Sequence, residues 1–173
     1  MKTACLGLGG NIGDPIRAMS NALRIIADHP ACAISAVSRL YRTPPWGKTD
    51  QSYFFNACVA VLTSLEPEAL LDFCLHIERA MKRERTERWG PRTLDIDILT
   101  YGEDVLETTR LTLPHPRMTD RAFVLLPLAD FAADLEIGGR SVNAWLSQAD
   151  KAGIEVVDNE DWWRGERAGN ADG

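Results

Sequence analysis

Residues 88–99 read Arg-Trp-Gly-Pro-Arg-Thr-Leu-Asp-Ile-Asp-Ile-Leu, and they hold the residue types that act on phosphate. In the second half Leu94, Ile96 and Ile98 alternate with Thr93, Asp95 and Asp97, the period of a half-buried strand. Asp95 and Asp97 therefore share a face, their Cα atoms roughly 6.5–7 Å apart at strand rise. Carboxylates at that spacing can share two divalent cations about 3.5–4 Å apart, the clamp used on a transferring phosphoryl group. Asp is disfavoured in strands, and like charges on one face repel, so an idle pair is a poor explanation. From Lys82 to Arg92 five bases stand against two acids, a net of +3 in a chain whose overall charge is −6. Arginine is the side chain best matched to phosphate oxygens, and Arg92 lies within reach of whatever Asp95 coordinates. Such a patch in an acidic protein suits a small metal-chelated polyanion. A nucleic-acid partner would call for a basic surface.

Other residues suggest a second ligand. Phe54 and Asn56 fall on one face of an expected strand, where an aromatic ring can stack a planar heterocycle and an amide can bond its edge. Phe123 could supply the opposite stacking surface. The glycines at 7, 9 and 10 fail both the dinucleotide fingerprint and the P-loop and read as a tight strand-to-helix turn. His29, His76 and His115 have neither zinc-site nor triad spacing.

These groups need a scaffold, and 173 residues, 45% hydrophobic and 25% charged, suit one soluble domain. Strands are expected at about 2–8, 32–42, 54–63 and 93–101. Asp14-Pro15 opens a helix reaching about Asp28, and Pro67 opens another carrying Leu70, Leu71, Cys74, Ile77 and Met81. Residues 43–50 and 83–92 read as loops. Gly102-Glu103-Asp104 reads as a hairpin turn into Val105-Leu106, and helical stretches follow at about 120–133 and 141–149. The order strand-helix-strand-strand-helix-strand predicts an α+β, ferredoxin-like fold, a mainly antiparallel sheet packed by helices. One domain over 1–160 and a disordered tail over 161–173 are expected. The four cysteines read as buried free thiols in a reducing cytoplasm. No signal peptide or membrane span is read, and a monomer is expected.

The run Arg88-Trp89-Gly90-Pro91-Arg92-x-x-Asp95-Ile96-Asp97 resembles the signature of the 6-hydroxymethyl-7,8-dihydropterin pyrophosphokinases of folate biosynthesis. Three further stretches agree: Leu8-Gly9-Gly10-Asn11-Ile12-Gly13-Asp14; Tyr41-Arg42-Thr43-Pro44-Pro45 with Asn56 downstream; and Leu113-Pro114-His115-Pro116-Arg117 with Arg121 and Phe123. The resemblance implies transfer of pyrophosphate from ATP to the hydroxymethyl group of the reduced pterin, with two Mg²⁺ ions and release of AMP. It implies that Asp95 and Asp97 hold the metals and that Arg83 and Arg92 contact the ATP phosphates. Arg85, Arg88 and Trp89 would close over the nucleotide, while Arg110, Thr112, His115 and Arg121 line its site. Asn56 would read the pterin edge between Phe54 and Phe123, in a pocket shaped by Thr43, Pro44 and Trp46. The chain departs from the family pattern at Gly10, often Ser; Phe54, often Tyr; Leu75, in some relatives Gln; and Lys82, commonly Gly.

Overall fold

The structure, a computed structural model, describes residues 1–44, 53–83 and 94–164. Strand β1 (Lys2–Gly10) leads into helix α1 (Pro15–Asp28), whose start is set by Asp14: its carboxylate accepts from the Arg17 amide at 3.2 Å. Then follow β2 (Cys32–Val37), β3 (Leu40–Thr43), β4 (Phe54–Thr63), α2 (Pro67–Arg83) and β5 (Asp95–Tyr101). The remainder comprises β6 (Leu106–Glu107), β7 (Thr112–Leu113), α3 (Ala122–Ala132), β8 (Glu136–Ile137), β9 (Arg140–Ser141), α4 (Val142–Gln148) and β10 (Glu155–Asp158).

Among the described residues one six-stranded antiparallel sheet runs β10-β3-β4-β1-β5, with β2 also paired to β4. Strand alternation sorts its side chains into two cores. Leu6, Leu8, Val59, Val61, Ile96 and Ile98 point to the layer of α1 and α2. Cys5, Cys58 and Leu99 point to that of α3 and α4, against Val124, Leu125 and Leu128. Asp95 and Asp97 have the parity of Leu99 and so belong to the α3 face.

The expected strand over 32–42 is two strands. At the break the Ser38 hydroxyl accepts from the Cys58 amide (2.9 Å), standing in for a ladder bond. The Arg39 amide donates to Asp130 at the end of α3 (2.9 Å). Asp130 also takes the Arg39 guanidinium, and the hydroxyl of buried Tyr41 lies 2.8 Å from both its oxygens. Burial, then the Asp130 carboxylate, holds the Tyr41 phenol above its ordinary range. This cluster ties α3 to β3. Asp130→Ala would strip the buried Tyr41 hydroxyl of its acceptor, leaving it only the Arg39 Nη2–H that donates to it (2.9 Å), and would leave the Arg39 guanidinium without its carboxylate. The expected loss is about 2–3 kcal/mol, or about 5–10 °C in Tm for a chain of this size, checked by a thermal melt.

Two expectations are corrected. The turn after β5 forms, with the Asp104 amide donating to Tyr101 O (3.0 Å). However, β6 pairs with β7 and leaves the sheet, because the outer side of β5 is taken by the 113–115 segment, whose His115 amide bonds Leu99 O (2.8 Å). The tail does not begin at 161 either. Trp162 and Trp163 are buried in the α1 core, and the Trp162 indole donates to Ser38 O (2.9 Å). Two aromatic rings in an otherwise polar stretch carry no periodicity, so only tertiary contact reveals them.

Candidate active site

A cavity of about 780 Å³ opens on the α3 face of the sheet, within the usual size of a small-molecule site. Its floor is β1. Gly9 lies in register with Asn56 on one side and Asp95 on the other, and Gly7 with Cys58 and Asp97. The glycines thus form a flat strip between an amide end and a carboxylate end. The expected turn starts later, since the strand runs through Gly10. A Cβ on Gly9 would stand 2.7 Å from Asn56 Nδ2 and 3.3 Å from Phe55 O. Gly9→Ala is therefore expected to displace the Asn56 amide and weaken binding at that end about ten- to a hundredfold, the effect of 1–3 kcal/mol of overpacking. Titration with a fluorescent planar heterocycle measures it.

At the amide end, β3 and β4 pair so that Thr43 is opposite Phe54. The Thr43 hydroxyl donates to Asn56 Oδ1 (3.3 Å), orienting the amide. Phe54, Asn56, Thr43, Pro44 and, from α3, Phe123 all line the cavity. Phe55 turns to the other core, as alternation requires.

At the carboxylate end stand Asp95, Asp97 and Arg121, the residue preceding α3, whose guanidinium lies 5.7 Å from the Phe123 ring. The Ile96 amide, between the two aspartates, donates to Glu78 Oε2 of α2 (2.7 Å), pinning the strand where the carboxylates leave it. Sequence spacing gave no sign of Glu78. His115 sits at the edge of this end. Burial, with Arg121 and Arg117, pushes its imidazole below the ordinary range against the pull of Asp97. Nδ1 accepts from the Arg117 amide (3.1 Å), so the proton of the neutral ring is on Nε2.

Thr43, Pro44, Phe54, Asn56, Asp95, Asp97, Arg121 and Phe123 are thus brought together by the fold. Arg110 and Thr112 do not line the cavity: Arg110 pairs with Glu68 and Asp72 on the outer surface of α2, and Thr112 lies in the β6–β7 ribbon. Trp46, Arg85, Arg88, Trp89 and Arg92 lie outside the described residues, and Arg83 is described only as the last residue of α2. Arg117, Asp120, Asp150, Ala152 and Ile154 also contribute to the lining, and the sequence pattern did not single them out for a site.

Two carboxylates on one strand face fit magnesium. Among the described residues no group of three His, Cys, Asp or Glu side chains could cage a metal. Magnesium is ordinarily held by one or two carboxylates and completed by substrate phosphates and water.

Residues 5–133 match the family described as 7,8-dihydro-6-hydroxymethylpterin-pyrophosphokinase (HPPK). The chain belongs to the HPPK family. It is 49% identical over 158 residues to the 2-amino-4-hydroxy-6-hydroxymethyldihydropteridine pyrophosphokinase of Methylorubrum extorquens, covering 91% of this chain and all of that relative. It is 40% identical over 153 residues to the enzyme of the same name from Bacillus subtilis, covering 88% of this chain and 89% of the relative. In fold it is similar to the crystal structure of Plasmodium falciparum HPPK-DHPS wild type with SDX-DHP. There the TM-score is 0.69 at 17% identity over 90% of this chain, and the chain spans only 47% of that longer one. The α+β, ferredoxin-like architecture is therefore the HPPK fold. No helix among the described residues is long and apolar enough to cross a membrane.

Proposed function

We propose that this chain transfers pyrophosphate from ATP to the hydroxymethyl group of 6-hydroxymethyl-7,8-dihydropterin, releasing AMP, in the biosynthesis of folate. HPPK enzymes named for this substrate match nearly the whole chain. The single observation that carries the reading is the cavity itself: a ring-stacking, amide-bearing end joined by a glycine floor to a two-carboxylate end.

Phe54 and Phe123 take the two faces of the pterin, and Asn56, oriented by Thr43, reads its edge beside Pro44 and Trp46. Asp95 and Asp97 would hold two Mg²⁺ ions. When bound, these would neutralise phosphate charge and acidify the hydroxymethyl group. Arg83 and Arg92 bind the triphosphate, with Arg85, Arg88 and Trp89 over the nucleotide. Arg121 adds a fixed positive charge, and neutral His115 donates from Nε2. The hydroxymethyl oxygen attacks the β-phosphorus, the bond to the α,β-bridging oxygen breaks, AMP departs and the hydroxyl proton goes to solvent. The side chains supply alignment and charge, which suffices for phosphoryl transfer without a side-chain base.

The same reading takes the chain as a monomer with one domain, one family match spanning residues 5–133. The four cysteines are free and buried, which favours a reducing cytoplasm. Burial pushes the Cys74 thiol up to about 12, leaving it protonated and inert. The net charge of −6 is ill suited to nucleic acid.

The test is product analysis with γ-labelled ATP, Mg²⁺ and the reduced pterin. Label on the pterin with stoichiometric AMP is expected. Release of pyrophosphate with a nucleotidylated product would mean nucleotidyl transfer and overturn the proposal.

A further inference from the structure

One wall of the cavity belongs to neither the signature motifs nor the phosphate chemistry. Between α4 and β10 the chain makes a tight turn, the Ile154 amide donating to Lys151 O (3.2 Å) and the Ala152 amide to Asp150 Oδ1 (3.0 Å). Gly153 in this turn has φ +82°, a conformation that side-chain-bearing residues rarely adopt. A Cβ there would also stand 2.7 Å from Cγ and 3.1 Å from Cδ of Pro44. The Pro44 ring is closed on its own backbone nitrogen and cannot swing aside, so the chain at Pro44 would have to move. The turn is held in place by strand pairing, Glu155 opposite Arg42, with an ion pair between them at 2.7 Å. Ala152 and half-buried Ile154 line the same cavity as Pro44, Phe54 and Phe123.

We infer that the 150–154 turn is the specificity wall of the heterocycle end: Gly153 seats Pro44, and Ala152 and Ile154 limit the bulk of the planar ring admitted. The ligand class is the 6-hydroxymethyl reduced pterin of that reaction, and rings enlarged by further alkyl groups on the edge facing this turn are selected against. This inference rests on the pterin reading above. Gly153 is here a positioning residue, acting through Pro44.

The experiment uses the full chain. Binding of 6-hydroxymethylpterin is followed by its own fluorescence in the presence of a non-hydrolysable ATP analogue, and binding of the analogue alone by calorimetry. Gly153→Ala is expected to raise the pterin Kd about tenfold, the effect of a displaced wall. The analogue Kd should stay within about twofold, because the phosphate end is remote from the turn. Ile154→Ala, which imposes no backbone strain, should relax selection. The ratio of Kd values for an alkyl-enlarged pterin and the parent should fall about fivefold, a modest share of what one methylene can contribute. Unchanged pterin binding in Gly153→Ala, a parallel shift in analogue affinity, or an unchanged ratio in Ile154→Ala would each overturn the inference. A native chain that binds no pterin removes the functional reading together with the wall, whereas native binding with unmoved variants removes the wall alone.

Discussion

Asp97→Ala is expected to lower kcat by about a thousandfold or more, equivalent to some 4 kcal/mol of transition-state stabilisation. Asp97 is half-buried in the middle of β5, in register with Gly7, and it shares the carboxylate end with Arg121 and His115. Asp95 begins the strand and is exposed, so solvent screens it more. Of the pair, Asp97 is placed to act where water is scarce and a charge is worth most. The variant should fold, since buried Ile96 and Ile98 keep the strand in register and removing one of two like charges relieves repulsion. Activity is measured across a wide Mg²⁺ range, with a thermal melt as control. Recovery at high Mg²⁺ would reduce Asp97 to an aid to metal affinity.

Legibility followed periodicity. Strict alternation at 94–98 placed both aspartates on one face, and the same rule put Phe54 with Asn56 while sending Phe55 to the core. The bounds of α1 and β4 were readable because a capping Asp-Pro pair and a long apolar run are local signals. Function lay in the one segment with both aspartates and arginines. The rest depended on tertiary placement. Gly9 read as turn chemistry because nothing local tells that Asn56 and Asp95 will flank it. Nothing local marks Glu78 on α2, yet it holds the Ile96 amide. The 150–154 turn has no apolar period and no matching motif, and only the pairing of β10 with β3 brings it to Pro44. Arg110 shows the converse, a residue that the family resemblance gave to the nucleotide site but whose guanidinium the fold commits to Glu68 and Asp72. To meet a nucleotide it would have to exchange those partners.

Arg92→Ala is expected to reduce kcat by about 10³-fold, at the lower end of the range for arginines that stabilise phosphoryl-transfer transition states. Leu94 is buried and Asp95 is held opposite Gly9, so the backbone is fixed two residues beyond Arg92. Three residues of chain span at most about 11 Å, which keeps the Arg92 guanidinium within reach of any phosphate that Asp95 helps to hold. That phosphate is the part of ATP that changes charge distribution as the β-phosphorus is attacked, so the arginine contributes mainly in the transition state. The pterin end lies across the glycine floor, and its affinity should change by no more than about twofold. Arg92→Lys should recover only part of the loss, because an ammonium supplies charge without the two-pronged fit to phosphate oxygens. Steady-state kinetics combined with a pterin titration separates the outcomes. Unchanged turnover in Arg92→Ala would refute the role, and equal losses in kcat and pterin affinity would assign Arg92 to holding the site together.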